Sequence, residues 1–298
     1  MRRLRLTGTV RITGPDFWGR QSTLVIEPID DPADYRWLWR WKYKKYVPIT
    51  PALFGVGGFL GRCVVLTHQV DGTTYRFHEA EHIIGWPHAL GLRGVCIWLE
   101  DSDWPPYMCQ AQLRREIKNL LIPQLLLKPY QPARTVLSAE NGRPRTAVYH
   151  PDHLRGLIVK TNVNYGDERI GHHELEFWGG VDEEDLMKVL SARTLGRPPA
   201  LWVLSKAGRF IASLLGREWP HHERIIWPWT TSAEEMNEET GRHRFLDALG
   251  VLAFVPPPGH YLCGIYHSVL GGHMTDIGLA KELYRKARSA ALPLCRVA

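Results

Sequence analysis

No two cysteines in this chain stand at C-x-x-C spacing. The five, Cys63, Cys96, Cys109, Cys263 and Cys295, are odd in number and far apart, which argues against a disulfide framework and against a cysteine-bound zinc site. No apolar run approaches the roughly 20 residues that span a bilayer. The segment Met1-Arg2-Arg3-Leu4-Arg5 is basic, but Thr7, Gly8, Thr9 and Arg11 interrupt any apolar stretch behind it, a poor match to a signal peptide. The expectation is a cytoplasmic protein without a transmembrane segment, peripheral membrane contact remaining open. Neither sign of charge dominates: 37 Lys and Arg against 31 Asp and Glu leave +6. That balance suits an anionic substrate such as a nucleotide without requiring nucleic acid.

What is present is an ordinary globular composition, 44% hydrophobic and 23% charged over 298 residues, enough for one large domain or two of medium size. Alternation predicts strands over Leu4–Thr13, Ser22–Pro28, Cys63–Gln69, Thr74–Phe77 and Gly94–Leu99. Helices are predicted over Glu79–Leu90 and Ala111–Leu126, the latter bent near Pro123. Trp37, Trp39, Trp41 and Tyr43 alternate with Leu38, Arg40, Lys42 and Lys44. Such interleaving can bind single-stranded nucleic acid, but a half-buried strand with a solvated basic face explains it more simply. No nucleic-acid partner is expected.

After Leu127 the pattern starts again. Strands are predicted at Arg134–Leu137 and Thr146–Tyr149 around an Asn141-Gly142 hairpin turn, then at Leu157–Val163 and His173–Trp178. Helices follow at Asp182–Ala192 and Lys206–Leu215, Thr231–Glu239 reads as a charged loop, and helices carrying His243 and running from Met274 to Ala290 close the chain. Strands then helices, twice, is an α+β pattern: an N-terminal α+β domain over 1–127 and a C-terminal one over 128–298, with a cleft between them as the natural site.

Two segments could carry chemistry. In Gly241-Arg242-His243-Arg244-Phe245-Leu246-Asp247, an imidazole and a carboxylate four residues apart share one helix face, half of a tetrahedral zinc shell. His78-Glu79-Ala80-Glu81-His82 matches H-E-x-x-H, which would make a zinc protease of His78, Glu79 and His82 if the helix were continuous. A turn and strand before His78 and Pro87 after it speak against continuity. The other reading takes Glu81-His82 alone, one residue ligating a metal and the other serving as base for hydrolysis.

Glu81-His82 after a strand, Ala192-Arg193-Thr194-Leu195-Gly196, His243-x3-Asp247 and Gly272-His273, in this order, resemble the zinc-dependent UDP-3-O-acyl-N-acetylglucosamine deacetylases of lipid A synthesis. Gly14-Pro15-Asp16-Phe17-Trp18-Gly19 leading into Thr23–Pro28 is similar to that family's first hairpin. The resemblance runs from about residue 3 to 288 and implies two similar two-layer α+β domains with helices packed between two sheets. It implies His82, His243 and Asp247 as zinc ligands, with ferrous iron suiting the same set. It further implies Glu81 as the general base, Thr194 as a donor to the oxyanion, and His273 as charged stabiliser or general acid. Arg244 stands where the family has a lysine near substrate phosphates. The strands from Leu157 to Trp178 correspond to the family's acyl-chain passage. The implied enzyme is a monomer that hydrolyses the acetamide of a nucleotide-linked or acylated amino sugar.

Three differences mark a divergent member. Val251 replaces the family's acid four positions after the Asp ligand, leaving Asp276 or another acid to partner His273. Asp101-Ser102-Asp103 replaces the family's Asp-Gly-Ser, and the stretch from Tyr266 to His273 is longer. A zinc-binding scaffold or regulatory protein of little activity is therefore the alternative from another class.

Overall fold

The computed structural model describes residues 1–31, 35–40, 45–58, 63–100, 102–107, 109–132, 135–139, 145–152, 156–162, 172–177, 182–195, 199–216, 225–227 and 229–291. The first half contains β1 (Arg2–Leu6), β2 (Val10–Pro15), β3 (Gln21–Pro28), β4 (Tyr35–Arg40), β5 (Lys45–Pro48), β6 (Phe54–Gly57), β7 (Cys63–Val70) and β8 (Thr73–Phe77). A π-helical turn at Glu81–Gly85 then runs into α1 (Trp86–Ala89), followed by β9 (Val95–Glu100), α2 (Gln110–Lys118) and β10 (Leu121–Leu126). The second half contains β11 (Lys128–Tyr130), β12 (Val136–Ala139), β13 (Thr146–His150), β14 (Leu157–Asn162), β15 (His172–Phe177), α3 (Glu183–Ser191) and β16 (Thr194–Leu195). It ends with α4 (Pro199–Leu214), β17 (Ile225–Ile226), α5 (Ala233–Leu252), β18 (His260–Leu262), β19 (Gly264–Val269) and α6 (His273–Ala291). The class is α+β.

The two halves repeat one sheet design. In the first, the order β2-β3-β9-β4-β5 puts a late strand, β9, between two hairpins, antiparallel to β3 and parallel to β4. In the second, the order β12-β13-β19-β14-β15 puts β19 antiparallel to β13 and parallel to β14. Each late strand has a helix before and after it: the π-turn with α1 and then α2 around β9, α5 and then α6 around β19. The strands-then-helices rhythm of the sequence is this duplicated unit.

One hydrophobic cluster draws on both sheets and on the helices: Leu24, Ile26 and Ile97 from the first sheet, Tyr149, Val159 and Tyr266 from the second, and Ile83, Trp86, Leu246 and Leu249 from helices. The opposite face of the first sheet makes only a small satellite of Val25, Cys96 and Trp98, as period-2 alternation requires. Leu157, Ile158 and Val159 of β14 are buried. Residues 163–171 of the expected acyl passage, Trp41, Tyr43 and the Asn141-Gly142 turn lie outside the described residues.

Three expectations are corrected. The helix expected through Leu126 stops at Lys118, and Leu121–Leu126 is instead a strand antiparallel to β1. Pro123 stands opposite Leu4 where the register shifts, a place where the missing N–H is tolerated. The first long strand is likewise two, broken over residues 7–9. The charged loop at 231–239 is mostly the first turns of α5: Ser232 caps it, its hydroxyl accepting from the Glu235 amide at 3.2 Å, and Ser232-x-x-Glu235 has the sequence pattern of a capping box.

The helices preceding the two late strands cross at Gly85 and Gly250. A Cβ on Gly85 would overlap the Gly250 backbone, and one on Gly250 would lie 2.5 Å from the Cα of Glu81. Only glycine permits this approach. His82 and Asp247 each stand three residues before their own glycine, so the crossing brings both onto one spot.

Candidate metal centre

The first wall of the site is the corner after β8. Glu79 has φ 52°, a left-handed conformation uncommon for a non-glycine residue, and it ends any helix that would include His78. Pro87 offers no N–H to an α-helical ladder, and the turn before it is wound as a π-helix, a form frequent at functional sites. Ile83 and Ile84 from this turn fill the core, while Glu81 and His82 are turned to α5.

The second wall is α5. His82 Nε2 and His243 Nε2 each lie 3.5 Å from Asp247 Oδ1, and the two imidazoles stand edge to face with centroids 4.9 Å apart. Tetrahedral bonds of about 2.0–2.2 Å set ligand atoms about 3.3–3.6 Å apart. His243 Nδ1 faces the Ala192 carbonyl at 3.3 Å, the kind of outer contact that orients a ligating histidine and leaves Nε2 to a metal. Both ring nitrogens of His82, Asp247 Oδ1 and Glu81 Oε1 are buried with no hydrogen-bond partner among the described residues. Orphaned buried donors and acceptors are costly unless something binds them, and three of these atoms, His82 Nε2, Asp247 Oδ1 and Glu81 Oε1, cluster, with His82 Nε2 3.5 Å from Asp247 Oδ1 and 4.0 Å from Glu81 Oε1. Their chemistry, two imidazoles and a carboxylate, fits zinc or ferrous iron.

Glu81 is held from one side. Its Oε2 accepts from the Val64 amide of β7 at 2.9 Å, leaving Oε1 at 4.0 Å from His82 Nε2 and 3.8 Å from His273 Nε2. Burial raises its carboxyl above the ordinary range against the pull of His82 and His273, the direction a general base for neutral pH needs. Burial lowers the His82 imidazole, but the Asp247 and Glu81 carboxylates outweigh it and lift the group to about 9. Burial brings His243 down to about 4. Burial would raise Asp247, yet the histidines and Arg244 around it hold it well below the usual carboxylate range.

His273 opens α6, its Nδ1 4.0 Å from Asp247 Oδ2. The acids beside it are Glu81 and Asp247 and not the position of Val251, which is fully buried in the shared core. Asp276, the substitute named from sequence, accepts from Arg244 Nη2 at 2.6 Å and from the Tyr266 hydroxyl. Arg244 is therefore corrected. It is 1% exposed, its guanidinium is committed to Asp276, with Ser268 Oγ at 3.2 Å, and it is not presented to a phosphate. Its Nη1 lies 3.9 Å from Asp247 Oδ2. The direction in which the residue after His243 points was not readable from spacing. The pairing of Tyr266 and Ser268 on one face of β19 was the available signal.

Thr194 lies in β16, which packs on α5. The segment is pinned there by Arg193, whose amide and guanidinium both donate to Glu239. Thr194 follows by two residues Ala192, whose carbonyl faces His243. His78 belongs elsewhere: its ring stacks on Trp104 at 4.1 Å and faces Cys63 Sγ at 3.9 Å. The two metal-competent groups among the described residues are His82, His243 and Asp247, and Glu81, Asp247 and His273. The H-E-x-x-H protease reading, which needs His78 in the shell, is thereby set aside. Compared with known proteins, the chain matches no protein-family model and no curated sequence.

Proposed function

We propose that the protein is a cytoplasmic, metal-dependent amidohydrolase that removes the acetyl group from an N-acetylated amino sugar, nucleotide-linked and in its fullest form 3-O-acylated. The observation that carries the reading is the convergence of His82, from one half of the chain, with His243 and Asp247, from the other, at 3.5 Å spacings beside a buried carboxylate with one oxygen unpartnered among the described residues. His82 Nε2, His243 Nε2 and Asp247 Oδ1 would hold the ion. When bound, a zinc ion there supplies Lewis acidity toward an amide carbonyl and toward water.

The chain's own groups do the rest. Glu81 Oε1 takes a proton from the attacking water, Oε2 being fixed by Val64. The water oxygen bonds to the acetamide carbon, and the Thr194 hydroxyl donates to the oxygen that becomes negative. His273 stabilises that charge or passes a proton to the departing nitrogen. The C–N bond breaks, and acetate and a free amino sugar leave. No anionic clamp is assigned, because Arg244 is buried.

Acetate release from UDP-linked N-acetylglucosamine, with and without a 3-O-acyl chain, tests the reading on zinc-loaded protein. Glu81→Gln is expected to lower turnover by about 10²–10⁴-fold, the usual worth of a general base, while zinc is retained. Glu79→Gln is expected to leave turnover intact. A zinc-loaded protein with no turnover on any acetamido sugar would instead favour the scaffold reading, which Val251 in place of an acid motivates.

A further inference from the structure

Helix α4 carries its apolar stripe on the outside. Val203, Ala207, Phe210, Ile211 and Leu214 recur at the spacing of a single helix face. Val203 is 59% exposed, Phe210 66%, Ile211 56% and Leu214 70%, and Leu215 just beyond the helix is 64% exposed. Ser205, on the opposite side, is 7% exposed. A surface helix ordinarily points its apolar stripe at the core. Among the α4 side chains the structure describes, a small polar residue, Ser205, is buried and the large apolar ones are exposed.

Charge identifies what covers the stripe. Lys206 and Arg209 are exposed and lie together on one flank of it. The sequence from Pro199 to Arg217 contains no acidic residue, in a chain of net charge +6. Size points the same way. A helix of 16 residues is about 24 Å long and about 10 Å wide, so its face covers on the order of 240 Å², against the roughly 800 Å² each partner of a stable protein pair contributes. An apolar crest with cations along one flank is instead the composition of a helix lying in the headgroup region of a bilayer.

We propose that α4 docks the protein onto an anionic lipid surface, with Phe210, Ile211 and Leu214 entering the acyl boundary and Lys206 and Arg209 meeting the headgroups. The inference does not depend on the hydrolase reading, since no stripe residue belongs to the metal cluster.

Co-sedimentation of the full chain with vesicles of mixed phosphatidylglycerol and phosphatidylcholine, and of phosphatidylcholine alone, tests it. The protein is expected to pellet with the anionic vesicles at about 0.01 M salt and to be released toward 1 M, as the screening length falls from about 30 Å to about 3 Å. Phe210→Glu with Leu214→Glu is expected to lower partitioning roughly tenfold or more at an unchanged melting temperature. Should that variant fold poorly, Lys206→Glu with Arg209→Glu gives the same test, with the loss confined to low salt. Failure of the native chain to bind anionic vesicles would overturn the proposal. So would equal binding by folded variants, or a concentration-dependent dimer that the Phe210/Leu214 variant dissolves without any vesicle binding.

Discussion

A single side chain shows how much environment decides. Arg244 sits beside a metal-ligand candidate in sequence and was expected to meet substrate phosphate, yet its guanidinium spans Asp276, Tyr266 and Ser268 in the interior. The pair joins α5, which carries His243 and Asp247, to α6, which His273 opens. Removing one partner leaves the other charge buried and uncompensated, at a cost of about 3–5 kcal/mol. Asp276→Asn is therefore expected to lower stability to urea by that amount. Adding Arg244→Met to it should recover part of the loss, and strictly additive losses in the double-mutant cycle would contradict the coupling. The pairing of His243 with Asp247 was legible because helix spacing places them on one face. The inward turn of Arg244 was not, because it depends on a carboxylate 32 residues later.

Among elements, the crossing of the π-turn and α5 positions the centre. Gly250→Ala would drive a methyl group into the Glu81 backbone. The expected cost is about 3 kcal/mol, with zinc affinity falling as the two helices part. Thermal melting and zinc titration of the variant check this, and an unchanged affinity would show that the close approach does not set the ligand geometry. The sequence patterns read α3 well, since the Asp182 cap acts as expected, accepting from the Glu184 amide. They failed where long-range pairing outweighed local preference: β10 is a strand because β1 lies beside it, not because Leu121–Leu126 alternates. At α5 the Ser232 cap and its glutamate three residues on were in plain view, but the acidic turn that follows has the composition of a loop.

For the whole molecule, the meeting of the two repeats includes one imidazole, His88, that burial holds toward its neutral form. His88 stacks on Phe254 with centroids 4.3 Å apart, and burial first, then the charge of Arg93, hold its imidazole well below 6.5. The unfolded chain takes up this proton below pH 6.5 while the folded chain does not. Stability from His88 is thus complete above pH 6.5 and lost as pH falls below it, by up to about 1.4 kcal/mol per unit. His243, lowered to about 4, acts in the same sense between 6.5 and that value. His88→Phe should narrow the stability gap between pH 7 and pH 5 in urea unfolding, and an unchanged gap would remove His88 from the linkage. The duplication behind this interface was visible as a rhythm of strands and helices, whereas the sheet order was not, because β9 and β19 each enter between hairpins that precede them in the chain. The metal centre proposed at that interface is tested most directly by equilibrium dialysis against zinc. One ion bound per native chain, lost in His243→Gln and in Asp247→Asn while their melting transitions persist, is the predicted result. Stoichiometric zinc retained by a folded chain lacking both the His82 and His243 imidazoles, or none bound by the native chain, would contradict it.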